Sequence, residues 1–192
     1  TAAIAPTDTT TAATGVAVDG ATLNGTVTAN GAVTSVQFCY STVNTLDADG
    51  ILTGCMYVTA STPSVIATTT NGADSATVSG LTYGTTYYYQ IVATNSLGTV
   101  YGNVVSFTST PVNPTPVTTG ATVGGSTASL QGTVNPGGNT ATVTFKYCTN
   151  SGMSTSCVTK NATPYTISGT SALAVSATTD AMVVQSTVIV DS

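Results

Sequence analysis

Apolar and polar positions alternate strictly in residues 86–95, and this segment predicts the best-defined strand of the chain. Its aromatic and β-branched side chains suit a half-buried pleated surface. One face carries Tyr87, Tyr89, Ile91 and Ala93, and the other carries Tyr88, Gln90, Val92 and Thr94. Because Thr82, Tyr83 and Gly84 have turn chemistry, we expect a tight turn just before this strand.

Shorter segments with the same period predict further strands up to residue 110. They start near Gly15 and continue at residues 21–31, 33–40, 55–67, 76–81 and 99–110, with Asn71-Gly72 as a hairpin signal. In residues 33–40, Val36, Phe38 and Tyr40 are expected to face the core and Cys39 to face outwards. About seven strands make a complete β-sandwich. Residues 1–14 lack such a period and predict an extended arm.

The sequence then repeats itself. Ala21-Thr-Leu-Asn-Gly-Thr-Val returns 107 positions later as Ala128-Ser-Leu-Gln-Gly-Thr-Val, and Val36-Gln-Phe-Cys-Tyr returns as Val143-Thr-Phe-Lys-Tyr. A short proline-rich segment at residues 111–116 predicts a stiff linker between the copies. We therefore expect a first sandwich at residues 15–110 and a second one at residues 117–192.

Residues 81–95 also resemble a known family. Leu81-x-x-Gly-Thr-x-Tyr87-x-Tyr-x-Ile91-x-Ala-x-Asn95 is similar to the E–F corner and F strand of fibronectin type III-like (Ig-like) sandwiches, except that Tyr83 stands where the family usually has Pro. The resemblance implies that Leu81 closes the core and that Tyr87 hydrogen-bonds back to the backbone. The Gly-Thr-Val-x-Pro-x-Gly element at residues 132–138 resembles such repeats in microbial surface and filament proteins.

The second copy differs from the first near its end. Its corner motif is absent, and residues 178–192 hold one strand where the first copy holds two. The second sandwich is therefore predicted to be one strand short, with an open edge. Three explanations remain: a neighbouring molecule donates the strand, as in pilin-like complementation; the domain closes differently within one chain; or the sequence is truncated.

Two segments are candidates for a donated strand. The C-terminal strand at residues 181–190 is apolar on both faces near its end, as a strand buried between layers should be. Its candidate exchange residues are Met182, Val184, Val188, Ile189 and Val190. The N-terminal arm offers Ile4 as its large apolar side chain. Alternatively, the C-terminal segment is strand F of its own domain and is not donated.

Composition excludes several functions. Only 5% of the residues are charged, and the net charge is −5, so there is no basic surface for nucleic acid or for an anionic membrane. The sequence has no run of about 18 apolar residues, so it predicts no membrane span. Since the chain has no His and no Glu, we find no acid–base pair and no base to activate Ser or Thr, and we expect neither an enzyme nor a cofactor.

The four cysteines form two local pairs in the sequence. The duplication favours Cys39–Cys55 and Cys148–Cys157 among three connectivities. Each bond would add on the order of 2.5–3 kcal/mol through loop closure. A zinc site is disfavoured because there is no Cys-x-x-Cys and no His; free buried thiols are the other alternative.

Disulfides favour an extracellular or cell-surface location, although an intracellular hyperthermophile setting also permits them. The chain starts at Thr1, as if a leader had been removed, and this favours the same location.

Two further motifs carry weaker signals. Asp47-Ala-Asp49-Gly50 resembles the start of a calcium loop without its distal Glu, and an ordinary turn explains it better. Asn24-Gly-Thr26 and Asn161-Ala-Thr163 are N-glycosylation acceptors by sequence.

Together these patterns predict an all-β protein of two tandem Ig/fibronectin III-like sandwiches, the second completed by a neighbour's strand. The expected function is a secreted structural subunit, which polymerises with itself head-to-tail by donor-strand exchange into a pilus-like fibre, filament or surface layer. The alternative is an adhesin or a carbohydrate-binding or spacer module that meets glycans or other cells. Exposed aromatic rings would favour this alternative, with Tyr88 and Tyr101 as the candidates.

Overall fold

A computed structural model of the chain describes residues 2–148, 153, 157–179 and 185–191, and every regular element in them is a β-strand. These residues contain no helix that is long and apolar enough to cross a membrane. The chain divides into two compact units, Thr1–Thr110 and Pro111–Ser192. The all-β fold predicted from alternation and turn chemistry is confirmed.

Unit 1 is a β-sandwich of two antiparallel sheets. Its strands are β1 (Thr7–Thr14), β2 (Gly20–Thr28), β3 (Thr34–Ser41), β4 (Met56–Val65), β5 (Gly72–Ser79), β6 (Thr86–Asn95), β7 (Gly98–Tyr101) and β8 (Val105–Thr108). One sheet has the order β1-β2-β5, and the other has the order β4-β3-β6-β7, with β8 also paired to β6.

The core of unit 1 lies between these sheets. Tyr87, Tyr89, Ile91 and Ala93 of β6 are all buried in it, together with Val36 and Phe38 of β3. Leu23 and Val27 face them from β2. The alternation in β3 and β6 therefore placed the core-facing residues correctly.

The described part of unit 2 contains six strands. They are β9 (Thr115–Gly124), β10 (Thr127–Asn135), β11 (Thr140–Cys148), β12 (Cys157–Ser168), β13 (Leu173–Thr179) and β14 (Gln185–Asp191). Hydrogen bonds connect them in the order β14-β11-β12-β13-β10-β9, and a single bridge between Thr163 and Ser176 joins β12 to β13. Leu130, Val143 and Phe145 form the centre of its core.

The central strands of the two units have corresponding neighbours. β2 is flanked by β1 and β5 as β10 is flanked by β9 and β13, and β3 is flanked by β4 and β6 as β11 is flanked by β12 and β14. The buried Leu23 and Phe38 of unit 1 have buried counterparts 107 positions later in Leu130 and Phe145. The sequence repeat is therefore a repeat of strand order and core positions.

The structure differs from the sequence predictions at four places. Residues 7–14 are a strand and not a free arm, because β1 pairs with β2 and buries Thr10. The predicted last strand of unit 1 is divided into β7 and β8 around Gly102. Asn71 lies in a turn that joins β4 to β5 in different sheets, so it does not form a hairpin. The predicted linker at residues 111–116 already contains the first two residues of β9.

Candidate assembly site

In unit 1, strand β6 is covered on both edges. β3 pairs with one edge, and β7 and β8 pair with the other. Phe107 of β8 is buried and packs on Tyr87 and Tyr89, with ring centroids 5.7 and 6.0 Å away. On this edge, β7 and β8 thus supply backbone hydrogen bonds to β6, and β8 also supplies a core side chain.

In unit 2, β14 takes the place of β6. Val188 stands opposite Phe145 in the ladder with β11, as Ile91 stands opposite Phe38. On its other edge no strand among the described residues pairs with β14. The described part of unit 2 is therefore short of the strand that β7 and β8 supply in unit 1.

The backbone of β14 has donors and acceptors for such a strand. In unit 1 both backbone groups of Ile91 point away from β3: its N–H donates to Thr10 Oγ1 (3.1 Å), and its carbonyl accepts from the Gly102 N–H (3.0 Å). Because Val188 has the same register, its N–H and carbonyl point to the outer edge of β14. We call this edge the acceptor edge.

Strand β9 shows a related difference. Its counterpart β1 contacts β7 and β8 and buries Thr10. All residues of β9 except Gly120 are exposed, including Val117 and Val123. Strand β9 lies beside β14, but no strand among the described residues takes the place in the ladder that β7 and β8 have beside β6.

The predicted exchange residues lie at two separate places. Met182 and Val184 lie outside the described residues. Val188 pairs with Phe145 of its own unit, Ile189 is partly exposed, and Val190 packs against the core of unit 2. The C-terminal strand thus has the place expected for strand F of its own domain, and its donation remains a prediction. Ile4 belongs to unit 1, where it precedes β1 and has an exposed side chain.

The corner predicted from the family resemblance is present. The Thr82 N–H donates to Tyr87 Oη at 2.9 Å, and Leu81 is buried in the core beside Tyr87. Tyr83 in place of the usual Pro does not disturb this bond. The turn before β6 is therefore tied to the strand that follows it.

Both predicted disulfides form. The Cα atoms are 5.4 Å apart in Cys39–Cys55 and 4.2 Å apart in Cys148–Cys157. Cys39 does lie on the face of β3 that is opposite the main core, but it is fully buried and not exposed as expected. Residues 42–55 fold back over the sheet there, so that Cys39, Leu52 and Val92 form a second small core.

Gln90 holds this loop, and the sequence pattern had not singled it out. Its side chain is buried, accepts the Leu52 N–H (2.9 Å) and donates to the carbonyls of Gly50 (3.0 Å) and Gly102 (2.8 Å). A polar residue in the middle of an apolar strand was the available signal. Because buried polar groups need partners, Gln90 ties the loop to the sheet.

The weak calcium motif forms a turn. Asp47 Oδ1 accepts the N–H groups of Asp49 (3.0 Å) and Ile51 (3.1 Å). Within the described ranges no three His, Cys, Asp or Glu side chains come together as a metal site. The turn interpretation has direct hydrogen bonds in its favour.

The two glycosylation candidates differ in accessibility. Asn161 is exposed on β12. Asn24 is half-buried, and its Nδ2 donates to the carbonyl of Ala12 (2.9 Å) and to Thr14 Oγ1 (3.1 Å). Asn161 is therefore the better placed acceptor.

Aromatic exposure differs from the expectation. Tyr88 and Tyr101 are half-buried around the Cys39–Cys55 core. Tyr57 and Tyr165 are the exposed ones, at 54% and 43%, and they belong to different units. The structure therefore does not bring Tyr88 and Tyr101 together as an exposed ring platform.

The carboxyl group of Asp8 has a strongly shifted pKa. Burial raises its pKa from 3.8 to about 6, and a hydrogen bond from the Ala93 backbone acts in the opposite direction. Its Oδ2 is buried and has no hydrogen-bond partner among the described residues. The fold therefore favours the neutral acid more than the unfolded chain does.

Comparisons with known proteins give structural likeness only. No known family and no curated protein matches the sequence. The sensor domain of the anti-sigma factor RsgI4 in Pseudobacteroides cellulosolvens matches in a short form (TM-score 0.40, 16% identity, 55% of this chain and 94% of that one) and in a long form (0.39, 16%, 56% and 92%). A solved "Myokine structure" matches with TM-score 0.36 and 16% identity over 57% of this chain and 99% of that one.

Proposed function

We propose that this protein is a non-enzymatic structural subunit of an extracellular filament or surface layer, built from fibronectin III-like sandwiches. The observation that carries the proposal is the acceptor edge of β14, which has no partner strand in the described chain although β6 has one. A strand from a second copy would complete unit 2, and repetition of this contact would build a head-to-tail polymer.

Three other features support this function. The Tyr87 corner supports the fibronectin III-like assignment. Two disulfides fit an oxidising environment outside the cell. A chain in which only 5% of the residues are charged offers little electrostatic repulsion between copies. None of these roles needs a cofactor or metal.

Electron microscopy of the full chain with edge variants tests the proposal. Wild type should form filaments at neutral pH. Val188→Pro should prevent them, because proline removes the N–H that points to the acceptor edge and leaves the ladder with β11 intact. Val188→Ala is the matched control and should still assemble.

Two results would contradict the proposal. A wild-type chain that stays monomeric at every concentration would leave a spacer or adhesin module as the better explanation. Filaments of Val188→Pro that match those of wild type would show that the acceptor edge is not used.

A further inference from the structure

Large apolar side chains are exposed together at the end of unit 1 where β1 begins. Their exposed fractions are 60% for Ile4, 62% for Val33, 68% for Ile66 and 54% for Leu97. Ile66, Val33 and Ile4 are the three most exposed large apolar side chains in the described part of the chain. We call these four residues the apolar end.

Hydrogen bonds hold the segments of the apolar end together. The Ile4 N–H donates to the Asn30 carbonyl (3.1 Å), and the Gly31 N–H donates to the Ala67 carbonyl (3.0 Å). Asn95 Nδ2 donates to the Ile4 carbonyl (2.9 Å). An open cleft of about 500 Å³ lies between Ile4 and residues 67–70. The exposed side chains therefore stand on a preformed surface.

This surface carries no charge. Residues 2–6, 28–33, 66–71 and 95–98 contain no Asp, Glu, Lys or Arg. Several large apolar side chains exposed at one end of a sandwich are unusual on a monomer and indicate an interaction surface. The absence of charge fits a partner whose surface is equally poor in charge, which describes a second copy of this chain.

The corresponding end of unit 2 has similar backbone hydrogen bonds. There the Val112 N–H donates to the Gly137 carbonyl (2.8 Å), and the Gly138 N–H donates to the Gly169 carbonyl (2.8 Å). Gly137 is the counterpart of Asn30, 107 positions earlier. Residues 111–114 thus enter unit 2 where residues 2–6 lie on unit 1. In each unit, the segment that precedes the first strand therefore lies at the same end of the sandwich.

We infer that the apolar end docks against unit 2 of a second copy of this chain. The inference rests on the proposed polymer and specifies one of its surfaces. A head-to-tail contact needs two different surfaces on each copy. Unit 2 carries the acceptor edge, and unit 1 carries the apolar end. Docking also brings residues 2–6 of one copy to the unit whose described strands leave β14 without a partner on one edge.

The test is a full-length Val33→Thr/Ile66→Thr/Leu97→Thr variant. The critical concentration for filament assembly, measured by sedimentation, should rise about tenfold or more, because a few central apolar residues dominate most interfaces. The thermal unfolding of unit 1 should not change. Val43→Thr/Tyr57→Thr is the control, since both residues are about as exposed but lie at the opposite end of unit 1.

A photo-crosslinking residue at position 97 identifies the occupant. We expect crosslinks between copies that map to unit 2. Crosslinks to unit 1 of another copy, to other proteins or only within one chain would overturn the inference, as would an unchanged critical concentration in the triple variant. In that case a polymer that is still abolished by Val188→Pro would leave the proposed function standing. A wild-type monomer would overturn both proposals.

Discussion

The backbone of Val188 lies opposite that of Phe145 in the ladder between β14 and β11. Ile91 and Phe38 have the same relationship in unit 1, where two further strands cover the outer edge of β6. The pairing therefore turns the backbone groups of Val188 towards an edge with which no strand among the described residues pairs. The strand-addition proposal depends on this register.

A peptide with the sequence of residues 103–110 should bind to this edge. In unit 1 this segment contains β8 and places Phe107 in the core. Added to the full chain, it should raise the melting temperature of unit 2 and inhibit filament growth, because it completes the sheet. A scrambled peptide should do neither. Equal binding to Val188→Pro would show that the peptide binds elsewhere.

Tyr87→Phe should destabilise unit 1 by about 1 kcal/mol, because the hydroxyl that accepts the Thr82 N–H is lost while the ring stays in the core. Urea denaturation followed by tyrosine fluorescence measures the change. Tyr57→Phe, at an exposed position, should have no effect. Equal effects of the two substitutions would mean that the corner bond contributes nothing.

Gln90→Ala should destabilise unit 1 by about 2–4 kcal/mol. The substitution leaves the buried Leu52 N–H and the carbonyls of Gly50 and Gly102 without their partner. Hydrogen exchange should show faster exchange of the Leu52 amide. Gln37→Ala is the matched control on the exposed face of β3. Unchanged Leu52 protection would contradict the proposed role of Gln90.

Asp8 should make unit 1 more stable in mild acid. Its folded pKa of about 6 exceeds 3.8, so the folded state keeps a proton that the unfolded state has lost. The contribution is fully present below about pH 4 and is lost as the pH rises through 6. After allowance for solvent screening of a partly exposed group, it amounts to about 1–2 kcal/mol.

Asp8→Asn should remove this part of the pH dependence. Denaturation at pH 4 and pH 7 measures the difference in stability for wild type and variant. Asp49→Asn is the control, because Asp49 is exposed. If wild type and Asp8→Asn lose the same stability between the two pH values, then Asp8 is ionised in the fold.

The sequence was most informative where a local pattern has a single physical solution. The alternation of Tyr87, Tyr89 and Ile91 placed the core face of β6, because a strand has a period of two. The repeat after 107 residues gave the cysteine pairing and the matching strands of unit 2.

Local pattern failed where a distant segment decides the environment. Cys39 has the alternation of an outward residue, yet it is buried because residues 42–55 cover it. Residues 7–14 lack large apolar side chains, yet they form β1 because β2 and β6 offer backbone partners, including the Ile91 N–H for Thr10. Such partners are separated from them by many residues and leave no local signal.

By itself, the sequence determined the all-β class, the duplication and the core faces of the strands, whereas the corner at Tyr87 was implied by the family resemblance. The first three were read from the chain alone. These follow from side-chain period, turn chemistry and self-similarity, which are all local or repeated properties of the chain. Only the tertiary structure decided that β14 pairs with β11 in its own unit, that no strand among the described residues pairs with its outer edge, and that Ile4, Val33, Ile66 and Leu97 lie at one end of unit 1. Those relationships depend on which strands become neighbours, and that choice is made by packing between segments far apart in the chain.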